Sequence, residues 1–253
     1  MKIGLSLSGG GSRGIAHLGV LKALEEIGVK PSIISGVSAG AIIGAYYSNQ
    51  YSPNQILEIF LEKKFKNYFR FHYGGLGIID MKKIHKFFLK YFPEDNFNEL
   101  SIPLVICATD IITSETVYFT EGPLILPILA SSAIPFLFSP IQFNDTLYLD
   151  GGILNNMPVS PLIGKCDKII GVHVNHQDNL LRNKSRIGIL ERVFHLSTER
   201  SVKENAKKCD CFIDPPEMAN YSMFSISKAP EVFKIGYNYT MSIRKEIEKE
   251  LSN

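Results

Sequence analysis

The chain has 253 residues, of which 45% are hydrophobic and 21% charged, so disorder is excluded and a sizeable core can form. The formal net charge of +2 is too small for a typical nucleic-acid-binding protein, which carries a strongly basic face, so we expect no nucleic-acid partner. Four cysteines have spacings that fit neither a zinc site nor a disulfide framework, which predicts reduced thiols in a reducing compartment.

No run of residues has the length and hydropathy of a membrane-spanning helix, which needs about 20 apolar residues. The N-terminal apolar run is short and reaches glycine at Gly9, which leaves no space for the apolar region of a signal peptide. The sequence therefore predicts a cytoplasmic protein that is either soluble or peripheral at a membrane surface.

The N-terminal part of the chain alternates predicted strands and helices. Residues 3–8 form an apolar run that ends in glycines, and residues 13–27 show a helical period that ends at Gly28. Residues 33–37 and 39–47 repeat this order of strand and helix. Two successive strand–turn–helix units predict parallel strands joined by crossover helices.

The rest of the chain continues without an internal repeat, a low-complexity tract or a linker. Predicted helices cover residues 53–64, 81–92, 124–132, 187–208 and 230–251, and predicted strands cover residues 104–109, 116–120, 146–149 and 168–174. We therefore expect one domain over residues 1–253, of the α/β class, with a mostly parallel central sheet and helices on both faces.

A glycine-rich stretch, S-G-G-G-S-R-G, follows the first predicted strand, and its residues 9–14 fit G-x-G-x-x-G. This is the fingerprint of dinucleotide-binding proteins, which also require an acidic residue at the end of the second strand to bind a ribose. The second strand ends instead in S-G-V-S, and no Gly-Lys-Ser/Thr of a phosphate-binding loop follows. A nucleotide-binding module is therefore a disfavoured alternative, and we expect no cofactor.

Residues 36–40 read G-V-S-A-G where the ribose-binding acid would stand. This is G-x-S-x-G, the nucleophile elbow, a sharp turn from strand to helix that exposes a serine hydroxyl. Gly36 and Gly40 flank the turn, where larger side chains would clash. The position between a predicted strand and a predicted helix favours Ser38 as a nucleophile over a simple turn whose serine caps the helix.

A serine nucleophile needs hydrogen-bond donors for the negative oxygen of the intermediate and a base that accepts its proton. The glycine-rich loop begins a helix beside the nucleophile strand, so its backbone N–H groups can converge on one small anion. The candidate oxyanion loop consists of Gly9, Gly10, Gly11, Ser12, Arg13 and Gly14. For Arg13 the sequence leaves three roles open, which are an anchor of the loop, a contact for a substrate phosphate and a surface charge.

The base has two candidate identities. Asp150 ends a predicted strand and precedes Gly151 and Gly152, at the position where α/β sheets bind ligands, although Asp-Gly is also a common turn. A triad in the order Ser, Asp, His is the alternative. Its candidate histidines are His173, His176 and His195. In α/β-hydrolases, however, several strands precede the elbow, whereas one strand–helix unit precedes Ser38.

The motifs G-G-G-x-R-G, G-x-S-x-G and D-G-G, in this order, resemble those of the patatin-like phospholipases. Further stretches look like the bacterial branch of this family, namely A-T-D-I-I-T-S-E at 108–115, A-S-S-A-I-P at 130–135 and D-G-G-I-L-N-N-M-P at 150–158. The resemblance covers roughly residues 3–175, and the C-terminal third has no matching stretch.

The resemblance implies a three-layer α/β/α fold and an enzyme that cleaves acyl esters of phospholipids or other lipids. It implies a dyad without histidine, in which Ser38 is the nucleophile and Asp150 the general base. The oxyanion hole would be formed mainly by the amides of Gly10 and Gly11, and the reaction would pass through an acyl-serine intermediate. Such enzymes are expected to work without calcium, and the sequence has no calcium-loop pattern.

Residues 63–92 combine many basic and aromatic residues, and their only acidic residue is Asp80. In the helix after Asp80 an apolar stripe lies opposite the lysines. The stripe consists of Met81, Ile84, Phe87, Phe88 and Tyr91. This pattern fits peripheral contact with an anionic membrane, a lid over an acyl-chain site, or a helix packed on the core, and the sequence leaves these three open.

Overall fold

The computed structural model describes residues 1–62, 81–135, 137–178, 184–224 and 226–252. Within this part of the chain, eight strands form one mixed sheet in the order β5-β6-β3-β2-β1-β7-β8, and β4 pairs with β3. The strands are β1 (Ile3–Leu7), β2 (Ile33–Val37), β3 (Leu104–Asp110), β4 (Glu115–Phe119), β5 (Ile141–Phe143), β6 (Thr146–Asp150), β7 (Lys168–Val172) and β8 (Cys211–Ile213).

Helices surround this sheet. They are α1 (Ile15–Ile27), α2 (Ala39–Ser48), α3 (Pro53–Leu61), α4 (Met81–Leu89), α5 (Ile125–Ser131), α6 (Arg186–Ala206), α7 (Ala229–Ser242) and α8 (Arg244–Ser252). Strands β3, β2, β1, β7 and β8 run parallel to one another, and antiparallel pairing is confined to β4, β5 and β6. The mostly parallel sheet with helices around it confirms the predicted fold class.

Local sequence explains several element boundaries. All five residues of β1 and all seven of β3 are buried, as expected for strands covered on both faces. Helix α1 ends at Gly28, which adopts the left-handed conformation with φ of 90°. Helix α3 begins with a capping box, because the Ser52 hydroxyl accepts from the Gln55 N–H while the Gln55 side chain accepts from the Ser52 N–H.

The structure differs from the sequence predictions in three places. The predicted helix over 230–251 is two helices, α7 and α8, which are separated at Ile243. Strands β5 and β8 have three residues each, too few to give a recognisable apolar period, and were not predicted. The helix predicted from residue 13 begins with a 3₁₀ turn, Gly11–Gly14, and becomes α-helical at Ile15.

Strand β3 pairs with both β2 and β6, and this pairing sets the position of the candidate site. Its residues 104–107 pair with β2 in parallel, with Val37 opposite Cys107, and its residues 108–110 pair with β6 antiparallel, with Asp150 opposite Ala108. Since β4 pairs with residues 106–110 of the same strand, β2 and β6 share the other edge of β3. The end of β2 therefore meets the end of β6, which brings together two positions that are far apart in the sequence.

Candidate active site

Ser38 lies at the sharp turn between β2 and α2. Its backbone has φ of 53° and ψ of −123°, a conformation that an L-residue adopts only under constraint and that is often found at functional sites. The Ser38 N–H donates to the Ser131 hydroxyl at 2.8 Å, and that hydroxyl donates to the Cys107 carbonyl at 2.6 Å. These contacts fix the elbow against β3 and α5.

The two glycines of the elbow lie where backbones approach closely. A Cβ atom at Gly36 would lie 2.5 Å from the Gly40 carbonyl oxygen, and one at Gly40 would lie 2.3 Å from the Leu7 carbonyl oxygen. Real Cβ atoms essentially never come so close to a backbone atom. The structure thus gives the physical reason for the glycines of G-x-S-x-G.

Asp150 ends β6 and is completely buried. One of its carboxyl oxygens, Oδ1, accepts from the Gly152 N–H at 2.8 Å, while Oδ2 has no hydrogen-bond partner among the described residues. Gly151 begins the following 3₁₀ turn and lies against Cys107 and Val37. The end of β6 therefore lies next to the end of β2.

The environment of Asp150 changes its acidity. Burial raises the pKa of this carboxyl from 3.8 to about 7, and the Ser38 side chain and the Gly152 amide lower it in part. The Ser38 side chain is thus one of the groups that act on the acidity of Asp150, although no hydrogen bond of standard geometry joins the two side chains. A carboxyl with a pKa near neutrality is suited to exchange protons at physiological pH.

The glycine-rich loop presents two amides that make no hydrogen bond to the protein within the described residues. The N–H groups of Gly9, Ser12 and Arg13 donate to the carbonyls of Asn156, Met223 and Gly10, respectively, but those of Gly10 and Gly11 donate to no acceptor among the described residues. Gly11 has φ of 54°, and a Cβ there would lie 2.3 Å from the Met223 carbonyl oxygen. Gly14 packs on Ala39, the first residue of α2.

Two side chains hold the carbonyl of Gly9. The Ser8 hydroxyl donates to it at 3.0 Å, and the Nδ2 of Asn175, which is 1% exposed, donates to it at 2.7 Å. Because a trans peptide is planar, fixing the Gly9 carbonyl also fixes the direction of the Gly10 N–H on the opposite side. No sequence pattern points to Asn175, because its role depends on a contact with a residue 166 positions away.

Replacing Asn175 by alanine should therefore disturb the orientation of the Gly10 N–H, although Asn175 itself is not expected to contact the substrate. We expect kcat for a soluble ester to fall by about tenfold or more, because one oxyanion donor loses its fixed orientation. Steady-state kinetics with a p-nitrophenyl ester measures this. The companion variant Gln177→Ala, two positions further on, removes a side chain that contacts Asn175 and Arg192 but not the loop, and should retain wild-type kcat. Wild-type kcat in Asn175→Ala would contradict the assignment.

Arg13 anchors the loop to the C-terminal part of the chain. Its guanidinium is buried and forms an ion pair with Glu191 at 3.1 Å, donates to the Tyr221 carbonyl at 2.6 Å and lies 3.2 Å from His195 Nε2. Of the three roles that the sequence left open, these contacts support the anchor. The surface-charge interpretation is wrong, because only 5% of Arg13 is exposed.

The candidate histidines of a triad make other contacts. His173 and His176 each bond to one carboxyl oxygen of Asp214, at 3.0 and 2.8 Å, and His195 lies beside Arg13 and Glu191. Burial also lowers the pKa of His195 below its ordinary value. None of the hydrogen bonds in the described part of the chain joins a histidine to Ser38 or Asp150, so these contacts do not support the Ser–His–Asp alternative.

Part of the basic and aromatic segment 63–92 lies outside the described residues, namely 63–80. In α4 the side chains of Ile84, Phe87 and Phe88 are buried in the core, whereas Lys86 is exposed, as is Lys90 directly after the helix. The described part of this segment, residues 81–92, thus matches the interpretation of a helix packed on the core. Within the described residues, no helix has the length and hydropathy to cross a membrane, and no three potential ligand side chains cluster as a metal site.

Comparison with known proteins gives consistent matches. A family model described as patatin-like phospholipase matches residues 5–163. An uncharacterised NTE family protein of Mycobacterium bovis is 32% identical over 186 residues, which is 69% of this chain and 49% of that protein. Lysophospholipase NTE1 of Candida albicans is 28% identical over 286 residues, which is 94% of this chain and 19% of that protein. The chain thus spans half or less of the length of these relatives.

The structure also resembles a solved one. The crystal structure of VipD from Legionella pneumophila matches with a TM-score of 0.55 at 15% sequence identity, over 97% of this chain and 66% of that chain. At this level of identity the match concerns the fold alone.

Proposed function

This chain belongs to the patatin-like phospholipase family, and from that premise we propose that it is a serine hydrolase that cleaves acyl esters of lipids. One observation carries the proposal. The buried carboxyl of Asp150, with one oxygen unpaired among the described residues, lies next to the end of β2 that carries Ser38, at the shared edge of β3. The amides of Gly10 and Gly11, which have no acceptor in the described part of the chain, belong to the loop that packs on the start of α2 after Ser38.

The proposed reaction has two halves. The Ser38 oxygen attacks the acyl carbon while its proton passes to Asp150 Oδ2, and the acyl oxygen becomes an oxyanion that accepts from the Gly10 and Gly11 amides. The intermediate collapses when the bond to the leaving alcohol breaks, and Asp150 returns the proton to that alcohol. Water then attacks the acyl-serine with Asp150 again as base, which releases the fatty acid and restores Ser38.

The raised pKa of Asp150 supports its role as the base. An ordinary aspartate has a pKa of about 3.9 and is a weak base toward a serine hydroxyl. Burial raises this pKa to about 7, which makes the carboxylate a better proton acceptor and still leaves it ionised in a large share of molecules at neutral pH. A buried lipid chain over the site would strengthen the same effect.

This assignment predicts an acid limb in the pH profile. Because only the ionised Asp150 accepts the proton, kcat/KM should fall below about pH 7, by about tenfold for each pH unit further down. The measurement is the rate of hydrolysis of a soluble p-nitrophenyl ester between pH 5 and 9. A triple variant His173→Ala, His176→Ala and His195→Ala should keep the limb if it folds, and a flat profile in the wild type would contradict the role of Asp150.

We propose a phospholipid or lysophospholipid as substrate, and no calcium requirement. The proposal is supported by the family and by the lysophospholipase name of one relative. Fatty-acid release from lysophosphatidylcholine, phosphatidylcholine and triacylglycerol, each with and without EDTA, tests it. We expect release from a phospholipid class that EDTA does not reduce. Release of fatty acid from neither lysophosphatidylcholine nor phosphatidylcholine, or loss of release in EDTA, would count against the proposal.

Peripheral membrane contact through residues 63–92 also remains a proposal. Its support within the described residues is the pair of exposed lysines formed by Lys86 on α4 and Lys90 directly after it, since the side chains of Ile84, Phe87 and Phe88 are packed inside. Flotation with anionic and neutral vesicles tests it. Equal recovery of the wild type and a Lys86→Gln, Lys90→Gln variant with anionic vesicles would remove that support.

A further inference from the structure

Asn156 is a buried polar side chain that the proposed dyad does not use. It is completely buried, and neither its Nδ2 nor its Oδ1 has a hydrogen-bond partner among the described residues. Leaving both ends of a buried amide without partners destabilises the folded state, so such groups call for an explanation. It belongs to the D-G-G-I-L-N-N-M-P stretch, but the sequence assigned it no role.

The Asn156 side chain lies between the glycine-rich loop and the turn after Asp150. Its Oδ1 is 2.5 Å from the position of a Cβ at Gly9 and 2.8 Å from that of a Cβ at Gly152. The Ser38 Cβ is 3.2 Å from the same point at Gly9, and Asp150 Oδ1 is 2.9 Å from the same point at Gly152. The Asn156 backbone carbonyl also accepts from the Gly9 N–H at 3.3 Å. The Asn156 side-chain amide therefore lies next to the glycine-rich loop, Ser38 and Asp150, which form the candidate site.

The preceding residue, Asn155, shows how different this environment is. Asn155 Nδ2 donates to the Tyr118 hydroxyl at 3.0 Å, and its Oδ1 accepts from Asn205 Nδ2 at 3.0 Å. Both ends of the Asn155 amide thus hold neighbouring elements together. Both asparagines are buried, but only the amide of Asn155 has hydrogen-bond partners among the residues that the structure describes.

We propose that Asn156 is a further catalytic residue, whose side-chain N–H donates to the acyl oxygen of the substrate as this oxygen becomes negative. The inference rests on the proposed function. That reaction needs a buried acceptor for the serine proton and buried donors for the oxyanion. The unpaired Asp150 Oδ2 supplies the acceptor, and the unpaired Asn156 amide, which lies against Gly9 immediately before the Gly10 and Gly11 amides, supplies a donor.

The test compares Asn156→Ala with the matched variant Asn155→Ala in the full chain, using a soluble p-nitrophenyl ester. For Asn156→Ala we expect kcat to fall by about 10²–10³-fold with KM nearly unchanged, because the donor acts in the transition state. Its melting temperature should stay equal or rise, since no hydrogen bond of the protein is lost. Asn155→Ala should show the reverse, with a lower melting temperature and kcat within about threefold of the wild type per active site.

The affinity for a reversible trifluoromethyl ketone inhibitor distinguishes a catalytic role of Asn156 from a purely structural one. Its adduct with the serine carries an oxyanion, so Asn156→Ala should weaken inhibitor binding by a factor similar to the loss in kcat. Wild-type kcat in Asn156→Ala, or a loss explained by a lower melting temperature without weaker inhibitor binding, would overturn the inference and leave the proposed function standing. A wild type that hydrolyses no ester would overturn both.

Discussion

Replacing Asp150 by asparagine should abolish ester hydrolysis, with kcat/KM lowered by about 10⁴-fold, a loss typical of removing an essential base or its partner. The asparagine Oδ1 can still accept from the Gly152 N–H, as Asp150 Oδ1 does at 2.8 Å, so the turn after β6 is kept. The Nδ2 that takes the place of Oδ2 has no free lone pair and cannot accept the Ser38 proton. Steady-state kinetics of the purified variant measures the loss.

The same substitution should make the protein more stable at high pH. The folded pKa of Asp150, about 7, lies above the ordinary value of about 3.9 that the unfolded chain shows, so the folded state holds its proton more tightly. The contribution of this carboxyl to stability therefore falls as the pH rises from about 4 to about 7, and the buried charge destabilises the wild type above that window. The melting temperature of Asp150→Asn should exceed that of the wild type at pH 8, with a smaller difference at pH 5.

Asp110→Asn is the matched control for this prediction. Asp110 also ends a strand, is 7% exposed, and uses Oδ1 to accept from the N–H groups of Ile112 and Thr113, but it makes none of the contacts of the candidate site. We expect Asp110→Asn to retain hydrolysis. Substantial hydrolysis by Asp150→Asn in a preparation free of wild type would contradict the assignment of the base.

The second large effect is expected at Gly40, where an alanine should reduce both stability and activity. Its Cβ would lie 2.3 Å from the Leu7 carbonyl oxygen and 2.7 Å from the Ser8 carbonyl oxygen, so α2 must move away from β1. Overpacking of this kind typically destabilises by about 1–3 kcal/mol. The movement also separates Ser38 from the glycine-rich loop, and a misplacement of about 1 Å can lower the rate by about 10²-fold.

Gly44→Ala in the same helix is the control for Gly40→Ala. There the Cβ would meet the side-chain ends of Leu104 and Ile34 at 3.1 and 3.3 Å, and these can adjust. Thermal unfolding and kinetics of both variants, after titration of active sites, measure the difference. If the two alanine variants behaved alike, close approach of the elbow to β1 could not be the reason for the glycine.

The sequence predicted those features of the site whose cause is local. Ser38 stands out because a strained turn needs glycines on both sides, and the glycine-rich loop stands out because bare amides need residues without side chains. Asp150 stands out because it ends an apolar run before two glycines. In each case a few neighbouring residues carry both the structure and its signature.

Features that depend on distant contacts could not be predicted. The role of Asn175 follows from a bond to Gly9, and that of Ser131 from a bond to Ser38 across 93 positions. The partner of Arg13 is Glu191, in a helix that no motif connects with the loop. The unpaired state of Asn156 is likewise visible only when all neighbours are in place. Tertiary contacts, rather than local patterns, determine these roles.

The most direct test of the account is to label the protein with a fluorophosphonate probe and to map the modified residue by mass spectrometry. The probe phosphonylates an activated serine, so we expect a single modification on Ser38 and a large loss of labelling rate in Asp150→Asn. Labelling of a different serine, or unchanged labelling of Ser38→Ala, would contradict the claim that the hydroxyl of Ser38, activated by the carboxyl of Asp150, is the nucleophile.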